Sequence, residues 1–157
     1  MTSPKVPPHD NVAEQSVLGA VLIDKDTMVD VAEFLRPHHF YAPMHAMIFQ
    51  AMIELYETHE PIDVVTTAAQ LKKKGTLKDI GGTAYLSDLV NVVPTSAHAQ
   101  QYARIITEHA TKRRLVEAAA KITEIAFREE GGAQSIVNDA EAEIFAIAQS
   151  TTRRDFI

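Results

Sequence analysis

The chain has 157 residues, 46% hydrophobic and 23% charged, which is enough for one ordinary hydrophobic core and too little for two large domains. It has no cysteine, which excludes disulfides, thiolate nucleophiles and cysteine-ligated metals. Its formal net charge of −6 argues against a dedicated DNA-binding protein. No apolar run reaches the roughly 20 residues of a membrane span and the first residues lack a secretory pattern, so we expect a cytoplasmic protein.

The first predicted helix follows two prolines and begins near Asn11. Asn11 is a good N-cap residue, and Glu14 stands three positions later, where its carboxylate would complete a capping box. Apolar residues then recur at helical spacing from Val12 onward, which predicts one buried face. Gly19 interrupts this face at a cost of about 1 kcal/mol relative to Ala, so it indicates either close helix packing or simple tolerance.

The middle of the chain predicts a series of further helices. A short helix over 27–34 is stopped by Pro37, and a strongly apolar core helix starts at Pro43. Asp63 is predicted to cap a helix that ends near Gly75 and carries Val64, Val65, Ala68 and Leu71 on its inner side. Another short helix contains Tyr85. Strand patterns are nearly absent, so the sequence predicts an all-α fold.

The last third of the chain has a different pattern. A helical periodicity runs about thirty residues from Ala97 to the sequence REEGG at 128–132, and a second helix follows the glycines. Apolar positions 137, 140, 144 and 147 in that second helix have the spacing of a packed seam. We therefore predict a globular helix bundle followed by an antiparallel helical hairpin. Such a hairpin leaves apolar surface uncovered, so we expect it to pair with a second copy.

Catalytic and metal-binding patterns are missing from the sequence. It contains no phosphate-binding loop, no G-x-G-x-x-G, no H-E-x-x-H and no G-x-S-x-G motif. His38, His39 and His45 are close together but lack the spacing of ligands on one helix face, and we interpret them as structural or surface residues. We expect no enzymatic activity, metal or cofactor in this chain. The basic run Lys112, Arg113 and Arg114 is a candidate for phosphate contacts, or simply a solvated helix face.

Five segments in order resemble one known family. They are VPPHDNVAEQSVLGAVL, FYAPMHAMIFQAM, PIDVVTTAAQL, GGTAYLSDL and YARIITEHATKRRL, and together they cover nearly the whole chain. This pattern is similar to the N-terminal domain of the DnaB-type replicative DNA helicases. In that family an all-helical N-terminal domain is joined by a linker to a RecA-like motor that hydrolyses ATP with Mg²⁺ and unwinds DNA. The resemblance therefore implies that the sequence is a fragment of such a helicase.

The resemblance also implies a domain plan and partners. The plan is a flexible arm over 1–9, a bundle over 10–107, a dimerising hairpin over 108–150, and the start of a linker to the RecA-like ATPase domain over 151–157. The implied assembly is a homodimer that becomes a trimer of dimers in the hexamer and recruits primase. DNA would bind only weakly. By resemblance, primase contacts fall on Tyr85, Val116 and Ile122. The apolar surface that one hairpin leaves uncovered assigns dimerisation to Leu115, Ile122, Ile144 and Ile147.

Two other functions remain open at this point. The helicase-binding domain of a primase has the same plan of bundle and hairpin, although the PPHDNVAEQSVLG opening favours the helicase. A small helical DNA-binding protein should carry a basic recognition helix after a tight turn. The helix at 64–74 has its lysines only at its end.

Overall fold

The computed structural model describes residues 6–93, 95–128 and 130–155, with side chains described up to residue 150. These residues form seven α-helices and contain no strand, which confirms the all-α prediction. The helices are α1 (Asn11–Ile23), α2 (Thr27–Val31), α3 (Pro43–Glu57), α4 (Val64–Lys73), α5 (Gly82–Val92), α6 (Ala99–Ala126) and α7 (Ala133–Asp155). None of the described helices is long and apolar enough to cross a membrane.

Helix α1 packs against α5, and Gly19 makes that contact possible. A Cβ atom at Gly19 would collide with the backbone carbonyl oxygen of Leu89 and with the side chain of Val93. Of the two explanations for this glycine, the structure supports close packing. The predicted apolar face of α1 is correct for Val17, Leu18 and Val21, which are fully buried, but wrong for Val12, which is exposed in the first turn of the helix.

Helix α3 is the central helix of the bundle and packs against α4. Pro43 occupies its first turn, and Ile48, Phe49 and Met52 are fully buried. Asp63 caps α4 as predicted: its side chain accepts a hydrogen bond from the backbone N–H of Thr66 at 2.8 Å. Val65 was predicted to face inward and is instead exposed, because Thr67 and Leu71 occupy the buried side of α4.

Glu54 links α3 to α4 on the surface of the bundle. Its carboxylate accepts hydrogen bonds from Gln70 Nε2 at 3.0 Å, Lys74 Nζ at 2.9 Å and Gln50 Nε2 at 3.2 Å. Partial burial raises the pKa of Glu54, but the hydrogen bonds from Gln70, Lys74 and Gln50 and the charge of Lys74 outweigh burial and hold the pKa below its usual value. The ion pair between Glu54 and Lys74 is only partly buried, so its contribution to stability is modest.

The chain divides into two compact units. One unit is His9–Glu108, and its core includes the buried faces of α1, α3 and α5 together with Ala99, Ala103 and Ile106 from the first part of α6. The other unit runs from His109 onward and includes the segment before His9. The predicted arm over 1–9 lies mostly outside the described residues, as do the side chains of the predicted linker over 151–157.

In the second unit, α7 and the later part of α6 form the predicted helical hairpin. Lys121 Nζ and Glu143 Oε1 are 2.7 Å apart across the two helices, and Ala118, Ile125 and Ile147 are buried beside them. The backbone of α7 continues to Asp155, five residues beyond the end predicted from the loss of apolar periodicity after 150. Helical backbone geometry does not require a buried face at every turn.

Candidate functional site

A buried polar cluster joins three helices of the first unit. Glu14 of α1 and His45 of α3 are only 2% and 1% exposed, and Glu14 Oε1 lies 2.8 Å from His45 Nδ1. The other ring nitrogen of His45, Nε2, lies 2.6 Å from the hydroxyl oxygen of Tyr85 on α5. The rings of His45 and Tyr85 are stacked, with centroids 5.9 Å apart. We call these three residues the Glu14–His45–Tyr85 relay.

Glu14 has further hydrogen-bond donors besides His45. The backbone N–H of Tyr41 donates to Oε2 at 2.7 Å, and the backbone N–H of Ala42 donates to Oε1 at 3.3 Å. Ala42 is the N-cap of α3 and has no local side-chain cap, so the carboxylate supplies negative charge and acceptors at the positive end of that helix. A buried carboxylate is costly unless several donors satisfy it, and these three donors meet that need.

The relay corrects the predicted cap of α1. Asp10, not Asn11, is the N-cap: its side chain accepts from the backbone N–H of Ala13 at 3.0 Å. Glu14 points into the core and makes no capping box. The sequence does contain a signal for this, because Glu14 lies three and four residues before Val17 and Leu18, on the apolar face. A charged residue at such a position indicates a buried partner.

Two glycines place Tyr85. Gly81 and Gly82 both have left-handed backbone angles, with φ of 97° and 74°, which residues with a Cβ rarely adopt. They turn the chain directly into α5. Tyr85 is half-buried: its hydroxyl points inward to His45, and Gln15 Nε2 is a distant second neighbour at 3.5 Å. Tyr85, which the resemblance predicts to contact primase, therefore has a hydrogen-bond partner inside the bundle.

The hairpin has an inner seam and an outer apolar surface. Ile136, Ala140, Glu143, Ile147 and Ser150 are the half-buried or buried positions of α7 up to residue 150, so the seam follows steps of four, three, four and three. The predicted seam contained Val137 and Ile144, which are both exposed. The predicted positions 140 and 147 are correct, but at the other two the covered residue is the preceding one, and 100° of rotation per residue carries Val137 and Ile144 out of the seam.

Beside the seam lies an open groove of about 810 Å³, which we call the hairpin groove. Its lining is mostly apolar. Ile144 and Phe145 on its wall are 46% and 62% exposed. The lining residues are Ile122 of α6 and Val137, Asn138, Ala140, Glu141, Ala142, Ile144, Phe145 and Ala148 of α7.

The predicted dimerisation residues occupy different places. Ile122 and Ile144 line the hairpin groove, so the structure brings them together. Leu115 is exposed on α6 seven residues before Ile122, which puts it on the same side of that helix. Ile147 is only 7% exposed and belongs to the inner seam, so it does not offer free surface for association.

The predicted primase contacts do not form one cluster within a single unit. Val116 is exposed and Ile122 half-buried in the hairpin unit, whereas Tyr85 belongs to the bundle unit.

The basic run is partly engaged within its own unit. Arg113 Nη1 donates to the backbone carbonyl oxygen of Pro8 at 2.8 Å. Arg114 lies beside Glu117 and Glu143 along the hairpin, while Lys112 is exposed. The described residues contain no group of three or more His, Asp or Glu side chains placed to hold a metal ion.

The family model described as the DnaB-like helicase N terminal domain matches residues 6–108, about two thirds of the chain. The chain belongs to this family. It is similar to the replicative DNA helicase DnaB of Leifsonia xyli subsp. xyli (strain CTCB07), with 42% identity over 153 residues that cover 98% of this chain and 34% of that protein. The chain thus spans about a third of the length of this curated relative.

Solved structures give the same family placement. The crystal structure of the N-terminal domain of DnaB helicase from Mycobacterium tuberculosis matches with a TM-score of 0.83 and 46% identity, covering 90% of this chain and 99% of that one. A structure described as a DnaB-like replicative helicase and its interactions with primase matches with a TM-score of 0.73 and 25% identity. That match covers 88% of this DnaB-family chain and 31% of the other.

Proposed function

We propose that this DnaB-family domain is the scaffold of a replicative DNA helicase, which assembles through its hairpin and recruits primase. The observation that carries the proposal is the apolar hairpin groove, because a groove of this size with exposed Ile144 and Phe145 is typical of a protein-protein contact. The family match and the likeness to a helicase studied with primase support it. The family match also favours the helicase over a primase module.

Self-association is the first part of the proposal. A groove lined by one face of α7 is the kind of surface that two copies bury by a two-fold axis, since each copy presents the same residues to the other. Ile122, Ile144 and Phe145 supply the contact, and Leu115 extends the surface along α6. In this proposal residues 108–150 are the dimerising part, and residues 10–107 form the bundle that carries it.

Primase recruitment is the second part. Val116 is an exposed apolar side chain outside the hairpin groove, so it remains available when the groove is covered. Tyr85 offers part of an aromatic ring at the surface of the bundle unit. Aromatic and aliphatic anchors commonly carry most of the energy of an interface. ATP hydrolysis with Mg²⁺, unwinding and the trimer of dimers are assigned to the complete helicase.

The experiment for self-association compares two charge insertions in the same hairpin. Ile144→Glu places a charge in the hairpin groove, whereas Phe127→Glu changes an apolar side chain that is 83% exposed and does not line the groove. We expect Ile144→Glu to abolish dimers in analytical ultracentrifugation and Phe127→Glu to leave them intact, because burying an unpaired charge is costly. Equal dimer fractions for wild type and Ile144→Glu, or a wild type that stays monomeric at high concentration, would refute the assignment.

The experiment for recruitment titrates the helicase-binding domain of a primase onto the chain. Tyr85→Ala and Val116→Ala should weaken binding, whereas Val65→Ala, an exposed apolar change on α4, should not. Duplex DNA should bind weakly and with strong salt dependence, because the chain has a net charge of −6. Tight sequence-specific DNA binding, or primase binding that ignores both substitutions, would contradict the proposal.

A further inference from the structure

We propose that Glu14 and His45 are positioning residues for partner recognition at Tyr85, and that the relay makes the Tyr85 hydroxyl oxygen an acceptor for a basic side chain of the partner. This inference rests on the proposed function, since it concerns the same primase contact. It is carried by the geometry of the relay, in which two almost fully buried polar side chains end on a half-buried aromatic residue.

The direction of each hydrogen bond follows from Glu14. An ionised carboxylate only accepts, and this one also receives the backbone N–H groups of Tyr41 and Ala42. His45 must therefore donate from Nδ1. In this proposal His45 is the neutral tautomer with its proton on Nδ1, so that Nε2 accepts and the Tyr85 hydroxyl donates its only proton inward.

The consequence at the half-buried Tyr85 is a phenol oxygen that can only accept. In this arrangement the Tyr85 hydroxyl donates its proton to His45 and its oxygen keeps its lone pairs as acceptors, which meet only a long 3.5 Å contact from Gln15 Nε2 among the hydrogen bonds of the described residues. A contact at that distance is a weak hydrogen bond, so a better donor from a partner can replace it. The net charge of −6 favours a partner with a basic surface. A lysine or arginine of the partner satisfies both conditions, because it can donate to the hydroxyl oxygen and it carries positive charge. Apolar groups of the partner would cover the ring.

The relay also reduces the entropic cost of binding. A tyrosine whose hydroxyl is held at 2.6 Å and whose ring stacks on a buried imidazole has little rotamer freedom to lose. Ordering a free side chain on association costs free energy, and a side chain that is already held avoids that cost. Removing the hydroxyl alone should therefore weaken binding even though the ring remains.

The experiment measures binding of the helicase-binding domain of primase to four forms of the chain. They are wild type, Tyr85→Phe, His45→Gln and the double variant, with circular dichroism confirming equal helicity. We expect Tyr85→Phe and His45→Gln each to weaken binding by about tenfold, the effect of one hydrogen bond. The double variant should bind no more weakly than either single variant, because His45 acts only through the hydroxyl.

A spectroscopic readout tests the relay without a partner. Long-range ¹⁵N NMR of the imidazole should show His45 protonated at Nδ1 and unprotonated at Nε2, and Tyr85→Phe should shift the Nε2 resonance. A purely structural role for His45 would instead give additive binding losses in the double variant. If His45→Gln does not fold, Tyr85→Phe and the NMR measurement still decide the question.

The two proposals fail in different ways. If Tyr85→Ala loses binding while Tyr85→Phe binds like wild type, the ring is the contact and the relay proposal is overturned, but the proposed function stands. A proton on Nε2 of His45 in wild type would also overturn the relay. If wild type does not bind the primase domain at all, the proposed recruitment function is wrong and this inference falls with it.

Discussion

Replacing Gly19 by Ala tests the close packing of α1 on α5. The added Cβ would meet the backbone carbonyl oxygen of Leu89 and the Val93 side chain. A side chain can change rotamer, but a carbonyl within a helix cannot move without the helix. The two helices must therefore separate, which also pulls Glu14 and Tyr85 away from their shared partner His45.

The size of the effect comes from two opposing contributions. Ala is favoured over Gly inside a helix by roughly 1 kcal/mol. Overpacking a dense contact costs about 1–3 kcal/mol, and the backbone obstacle puts Gly19 at the upper end of that range. We therefore expect Gly19→Ala to lower the free energy of unfolding by about 2 kcal/mol.

Urea unfolding followed by circular dichroism measures this change. With a slope of about 2 kcal/mol per molar urea, the midpoint should fall by about 1 M. Gly132→Ala is a matched control, because a Cβ there meets nothing within 4 Å, and it should leave the midpoint unchanged or slightly raise it. If Gly19→Ala raised the midpoint as helix propensity alone requires, the inferred close packing would be wrong.

Two further predictions concern the bundle. Thr67 is fully buried and its hydroxyl has no hydrogen-bond partner among the described residues. Thr67→Val should therefore raise the free energy of unfolding by about 1 kcal/mol in the same urea assay. A loss of stability would show that the hydroxyl does make a hydrogen bond in the folded chain. Glu54 has a lowered pKa, so its contribution to stability is complete above the unfolded value near 4.5 and disappears as pH falls through the folded value. Glu54→Gln should therefore destabilise the chain at neutral pH and progressively less as the pH falls below 4.5, and a difference that does not change with pH would contradict the assigned charge interaction.

Features that depend on neighbouring residues in the chain could be predicted from the sequence. The Asp63 cap and the proline at the start of α3 depend only on residues within one helical turn. The residue types in the sequence are therefore enough to predict where these helices begin. The all-α class follows from apolar periodicity that persists through most of the chain. The candidate contacts at Tyr85, Val116 and Ile122 came from family resemblance and remain predictions.

Features that depend on distant residues could not be predicted in the same way. Glu14 satisfied the local spacing of a capping box, but its donors lie 27 to 31 residues away, and these contacts decide its conformation. In α7, both possible apolar stripes have helical spacing. The sequence therefore predicts two seam positions correctly, 140 and 147, and misplaces the other two by one residue, since only packing against α6 determines which stripe is covered.

The packing of α1 on α5 has a consequence for synthesis on the ribosome. Gln15 and Tyr85 are 70 residues apart, and at roughly 5–20 residues per second the ribosome needs roughly 4 to 14 s to translate that interval. A helix forms within about a microsecond, so α1 can form long before α5 has been synthesised. During that interval the nascent chain exposes the apolar residues Val17, Leu18 and Val21. Substitutions in α5 that slow docking would therefore lengthen the period in which the unfinished chain can aggregate or be held by a chaperone.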